Sequence, residues 1–188
     1  MTNLPPHTAL IVIDVQLAFL DPDMGERNNP AAESNIGRLL QAWRNTGRPI
    51  RHIVHDSLEP NSRLRPDSPG NSIQAIALPR ANEPVYRKNV NSAFIGTTLE
   101  RDLRRDGIET VVIVGLTTNH CVSTSARMAG NLGFVTYVIS DATATFARPA
   151  LDGTLRSAED VHLAALSDLQ EEFATVVDTS EILKRAAH

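Results

Sequence analysis

Residues 9–15 read ALIVIDV, and this stretch decides the fold. It is apolar and rich in β-branched residues, and its first polar side chain is Asp14. A strand with one wet face alternates polar and apolar residues, so an unbroken apolar run marks a strand covered on both faces, as in a parallel sheet. Downstream, residues 31–46 place Ile36, Leu39, Leu40 and Trp43 on one helical face, and Gly47 closes the helix. Trp43 is expected in the core or at a subunit contact. Further strands are expected at IRHIVH (50–55), TVVIVG (110–115), FVTYVIS (134–140) and ATVVDT (174–179), and PVYRK (84–88) is an apolar stub leading to Lys88. Helices are expected over 97–105, about 119–131 and 157–173, with a short one at the end. Ser157 and Asp160 resemble a capping box for the long helix.

Residues 56–82 break the alternation. Pro60, Pro66, Pro69, Gly70 and Pro79 punctuate a polar stretch, which reads as a long ordered loop with one short helix near 71–77. Strands alternating with helices predict a three-layer α/β/α sandwich with a central, mostly parallel sheet, formed as a single domain over 1–188.

Composition narrows the function. The chain has 188 residues, 41% hydrophobic and 21% charged, with a formal net charge of −4. No basic block is present, so neither nucleic acid nor an anionic membrane is an expected partner. Apolar runs are strand-sized, well short of the ~18–20 residues that span a bilayer. The N-terminal MTNLPPHTAL lacks a signal-peptide pattern, so a cytoplasmic location is expected. The single cysteine excludes an intrachain disulfide.

In an open parallel sheet, ligands bind beyond the carboxyl ends of the strands. Asp14 follows the first strand, and Cys121 starts the helix after strand 110–115, so both fall on that rim. A helix N-terminus can lower a thiol's pKa and favour a thiolate; the alternative is an inert buried cysteine. Asp14 is a structural acid or a general base. Lys88 alone would read as a solvated lysine.

Three segments together carry a resemblance: LIVIDVQLAFL (10–20), RKNVNSAF (87–94) and VGLTTNHCVSTSARMAGNLGFVTYVISDATATF (114–146). The order of Asp, mid-chain Lys and Gly-x-x-Thr-x-x-Cys-Val resembles the isochorismatase-like cysteine hydrolases, which include nicotinamidases and N-carbamoylsarcosine amidohydrolases. The resemblance implies Cys121 as nucleophile, Asp14 as proton carrier, and Lys88 as the cation that holds both. It also implies a cis peptide between Leu116 and Thr117, with the N–H groups of Thr117 and Cys121 directed at an oxyanion. Relatives commonly form dimers or tetramers, so a homo-oligomer is expected.

Phe19, Phe94 and Asn119 flank these positions and are expected to line the substrate pocket, with His55 at its rim. His52 reads as a core or interface histidine, His120 as a supporting residue, and Asp141 as a support for the loop after its strand. Nicotinamidase-like relatives bind a metal through an Asp-x-His pair. Here Asp56 follows His55 and no further histidine appears until His120, so no metal or other cofactor is expected. The expected activity is cysteine-dependent cleavage of an amide-type C–N bond in a small molecule. The alternatives are isochorismatase-type vinyl-ether hydrolysis and a non-catalytic module that kept the fold.

Overall fold

A computed structural model describes residues 3–187. The strands are β1 (Ala9–Ile13), β2 (Ile50–His55), β3 (Val85–Lys88), β4 (Thr110–Leu116), β5 (Val135–Ala144), β6 (Arg148–Pro149), β7 (Leu155–Arg156) and β8 (Thr175–Val177). The helices are α1 (Ala32–Thr46), α2 (Leu99–Arg105), α3 (Ser123–Asn131), α4 (Ala158–Ser167) and α5 (Thr179–Ala186). Six strands form one sheet in the order β3-β2-β1-β4-β5-β8, and every pairing is parallel. β6 and β7 form a separate antiparallel hairpin.

The period of two in β1 explains the layers. Ala9, Ile11 and Ile13 pack with Leu99 and Leu103 of α2, Ala126 and Ala129 of α3, and Leu166 of α4. Leu10 and Val12 point the other way, onto Ile36, Leu39, Leu40 and Trp43 of α1 and Ile182 of α5. Both faces are therefore covered, and all of β1 is buried. This is the three-layer α/β/α sandwich. Trp43 belongs to the core, and its indole N–H donates to the Thr8 carbonyl at 3.0 Å. Among the described residues no helix is long and apolar enough to cross a membrane.

Several boundaries differ from the sequence expectation. The helix expected over 157–173 stops at Ser167, although Ser157 caps it by accepting from Asp160 N at 3.1 Å. Leu169 turns into the core, its carbonyl accepts from both Phe173 N and Ala174 N, and Glu171 adopts a positive φ of 70°. Core packing of Leu169 overrides the helical periodicity. Two short 3₁₀ turns, 69–71 and 75–77, replace the helix expected near 71–77. β5 runs past the expected end at residue 140, because its pairing with β4 shifts between Ile113↔Val138 and Gly115↔Thr143. Asp141 thus lies inside the strand rather than serving a following loop. Its Oδ1 accepts from Thr179 N at 2.8 Å and Thr179 Oγ1 at 2.7 Å, anchoring the start of α5.

The strand order reverses between β1 and β4, and at such a switch point the loops diverge to leave a crevice. Gly115 sits beside it with φ +122°, and a Cβ there would lie 1.9 Å from the Ile13 carbonyl oxygen. Only glycine permits this approach, because backbone on both sides cannot yield. Gly115→Ala should therefore lower the unfolding free energy by about 3 kcal/mol or more. Urea denaturation checks this; a loss below about 1 kcal/mol would show that the β1–β4 contact adapts.

Candidate active site

Four neighbouring strand ends each deliver one side chain. In sheet order they are Lys88 at the end of β3, His55 at the end of β2, Asp14 just after β1, and Cys121 in the turn after β4. Lys88 and His55 are register partners. Lys88 Nζ lies 2.7 Å from Asp14 Oδ2, 3.0 Å from His55 Nδ1 and 3.4 Å from Cys121 Sγ. The Asp14 and Lys88 side chains are both fully shielded from solvent. Asp14 has a φ of +50°, a left-handed conformation that costs a non-glycine residue about 1–3 kcal/mol. Its N–H donates to Ile53 O at 3.0 Å and its carbonyl accepts from Gln16 N at 2.8 Å, so both neighbours hold the bend.

Two acids surround one cation. Burial pushes the Asp14 carboxyl above the usual carboxylate range, while the Lys88 charge and hydrogen bonds from Lys88 and the Cys121 thiol pull it back. Burial also pushes the Cys121 thiol up to about 12; the Asp14 charge adds to the rise and Lys88 opposes it. The expected depression by a helix N-terminus does not prevail. Cys121 sits in a π-helical turn, Thr118–Val122, ahead of α3, in surroundings dry enough for desolvation to dominate. Desolvation thus favours the neutral thiol over the thiolate.

His55 is neutral: burial and the Lys88 charge lower its pKa to about 4. Its Nδ1 must accept from the ammonium, which leaves the ring proton on Nε2. The long loop is tied to this strand end. Gln16 Oε1 accepts from His55 N at 2.9 Å, and Gln16 Nε2 donates to the carbonyls of His55 and Asn71 at 3.1 and 2.8 Å. Asn71 Nδ2 in turn reaches His55 O, Asp56 Oδ1 and Leu64 O, at 2.9, 3.0 and 2.8 Å.

Behind the cysteine turn, buried His162 of α4 pairs through Nδ1 with Thr118 Oγ1 at 2.9 Å. Asn29 Nδ2 donates to the Ser140 and Thr143 carbonyls, both at 2.8 Å, fastening the segment before α1 to β5. The Leu116–Thr117 peptide bond is cis. His52 is buried with its Nε2 2.9 Å from Glu83 Oε2, remote from the cysteine turn, and is a core histidine.

Asp14, His55 and Cys121 offer metal-ligand atoms within 4.8 Å of one another. The Lys88 ammonium lies in contact with all three, at the point a metal would take. This set fits an internal cation better than a metal ion.

A cavity of about 500 Å³ opens over Cys121. Phe19, His55, Thr117 and Asn119, all singled out in the sequence, line it. Phe94 does not: it is partly buried against the core and stacks on Phe134, with centroids 6.1 Å apart. The polar residue supplied by that segment is Asn91, whose Oδ1 is 3.9 Å from Cys121 Sγ. Its position three residues after Lys88 was the available signal. Phe146 and Arg148 also line the cavity, and nothing in the periodicity marked them. His120 has its ring nitrogens on Thr117 Oγ1 at 3.4 Å and Arg148 Nη1 at 2.8 Å.

Residues 8–181 match the isochorismatase domain family, and the chain belongs to that family. An uncharacterised isochorismatase family protein of Bacillus subtilis, YrdC, is 48% identical over 175 residues, covering 93% of this chain and 94% of its own. The crystal structure of an isochorismatase-family protein from Chromobacterium violaceum superimposes with a TM-score of 0.96 at 42% identity, covering 100% of this chain and 97% of that one. A streptothricin hydrolase of Streptomyces noursei is 32% identical over 182 residues, covering 95% of this chain and 63% of its own. Family membership places the chain among hydrolases.

The electrostatics can be tested directly. Iodoacetamide alkylation of Cys121 in the free protein should rise only well above the ordinary thiol value of about 8.5. Asp14→Asn should move the profile to lower pH, because the Asp14 anion is one cause of the elevation. A wild-type midpoint at or below about 8.5 would contradict this account.

Proposed function

We propose that the protein is a cysteine hydrolase that cleaves an amide-type C–N bond of a small molecule through a covalent acyl-enzyme. The observation that carries this reading is the Lys88 ammonium held against both the Asp14 carboxylate and the Cys121 sulfur at the foot of the cavity.

Burial disfavours two anions in this site, and Lys88 compensates one negative charge. The Cys121 proton passes to Asp14 as Sγ bonds to the substrate carbonyl carbon, so the site's net charge changes little while a nucleophile appears. The negative charge then moves to the carbonyl oxygen, where the N–H groups of Thr117 and Cys121 receive it. Asp14 returns the proton to the departing nitrogen, the C–N bond breaks, and a thioester remains. Water attacks the thioester with Asp14 taking its proton; the carboxylic acid leaves and the proton returns to sulfur. A carboxyl with a raised pKa serves both directions of this shuttle better than an ordinary one.

The cavity volume suits a small molecule. Leu151 and Leu155 of the β6–β7 hairpin stand exposed, which supports assembly as a homo-oligomer, a dimer or tetramer. Isochorismatase-type vinyl-ether hydrolysis needs no sulfur nucleophile, so the cysteine variant separates the two chemistries.

Cys121→Ala should fold and show no turnover on amide substrates, measured as ammonia release; more than a few per cent of wild-type kcat would remove the thiol mechanism. Asp14→Asn should lower kcat by roughly 10²–10⁴-fold, the usual worth of a positioned acid–base group. Activity should survive exhaustive treatment with EDTA or phenanthroline. Loss that zinc, iron or manganese restores would show that a metal displaces the ammonium at Asp14, His55 and Cys121.

A further inference from the structure

The cavity carries an unusual charge pattern for an acidic protein. No aspartate or glutamate lines it, and the Lys88 charge beneath its floor is matched by Asp14. Arg148 lines the mouth from the start of the β6–β7 hairpin. Three other arginines near the site are matched by carboxylates, Arg27 by Glu33, Arg63 by Asp23 and Arg87 by Asp56, while Arg156, the register partner of Arg148, donates to the Asp160 carbonyl at 3.3 Å and does not line the cavity. Arg148 has no carboxylate partner among the described residues; its side-chain contact is with His120 Nε2, at 2.8 Å.

That contact orients the exposed guanidinium without neutralising it. A guanidinium only donates, so His120 Nε2 accepts and the imidazole proton resides on Nδ1, next to Thr117 Oγ1 at 3.4 Å. Burial and the Arg148 charge both hold His120 below its ordinary pKa, so it stays neutral at neutral pH. The remaining guanidinium N–H donors form a planar fork at the edge of a cavity walled by Phe19 and Phe146, whose rings stack with centroids 6.3 Å apart.

We propose that Arg148, oriented by His120, is an anion-recognition residue, and that the substrate carries a carboxylate at the end remote from the scissile C–N bond. This rests on the hydrolase reading for the identity of the reacting group, but the anion subsite stands on its own geometry. A carboxylate matches the guanidinium fork through two parallel hydrogen bonds, which neither an amide nor a hydroxyl can reproduce. The substrate's carbonyl end reaches Cys121, its middle lies against Phe19 and Phe146, and its anionic end meets Arg148. Because net charge is −4 overall, this local cation also sets where an anion can dock on a molecule that otherwise repels it.

The experiment compares matched amides that differ in one charge: succinamate with succinamide, and 4-carbamoylbenzoate with terephthalamide. Ammonia release gives kcat and KM for wild type, Arg148→Gln and Arg148→Lys. Wild type should prefer the anionic member of a pair by about tenfold or more in kcat/KM. Arg148→Gln should collapse that preference by about 10- to 100-fold, chiefly through KM, and Arg148→Lys should restore part of it. Equal or better turnover of the neutral members by wild type overturns the proposal and leaves the amidase reading intact. A preference unchanged in Arg148→Gln overturns it as well. If no amide is cleaved, the amide-cleavage reading fails separately, and calorimetric binding to wild type decides the subsite. 4-Acetylbenzoate, with a ketone in place of the amide, should then bind at least tenfold more tightly than neutral 4-methylacetophenone, and Arg148→Gln should erase the difference. Equal binding, or none by either ligand, overturns the proposal.

Discussion

One ammonium sits at the convergence of four strand ends, and the architecture around it exists to make that possible. Lys88 and Asp14 are sealed from solvent, and removing one member of such a pair strands the other charge at a cost of about 3–5 kcal/mol. The sheet distributes the parts across β3, β2, β1 and β4, so no local segment contains the site. Only a completed parallel sheet brings residues 74 positions apart to 2.7 Å. Folding and site assembly are in this sense a single event. The glycine at 115 and the left-handed bend at Asp14 are local concessions to it, at the switch point where β1 and β4 diverge.

The charge count explains why burial and the Asp14 anion raise the Cys121 thiol in spite of the adjacent Lys88. A permanently ionised cysteine beside Asp14 would place two anions against one cation in a dry site. A neutral thiol beside a carboxylate is the less costly arrangement in such a site, with Lys88 balancing the single anion. His55 completes the arrangement without adding charge, since it meets the ammonium as a neutral acceptor.

Much of the frame was legible in the sequence because it depends on patterns that repeat. β1 is continuously apolar because both faces are buried, and the face of α1 is set by Ile36, Leu39, Leu40 and Trp43. Asp14 and Cys121 could be placed on one rim from the strand ends alone. Lys88 could not: its role is invisible without the register that sets β3 beside β2, and only the resemblance singled it out. The misjudged boundaries have a common cause. Leu169 ends α4 by turning into the core, and the β4–β5 register shift carries Asp141 into a strand; both are tertiary choices that override local periodicity. Phe94 illustrates the same limit, since an aromatic beside catalytic positions can face the core as readily as the cavity.

The division between rigid and variable parts follows from the same physics. Asp14, His55 and Lys88 come from strand ends, where the sheet fixes the backbone. Residues that shape the rest of the cavity come from elements with little periodicity: Phe19 from a single 3₁₀ turn, Leu64 from the long loop, and Arg148 from a hairpin with two-residue strands. The loop is held by side-chain amides, Gln16 and Asn71, rather than by a core of its own. The buried charge cluster is thereby separate from the residues that shape the mouth of the cavity. On the reading proposed above, the hairpin and the loop select the molecule that enters, while the charge balance among Asp14, Lys88 and Cys121 is left undisturbed.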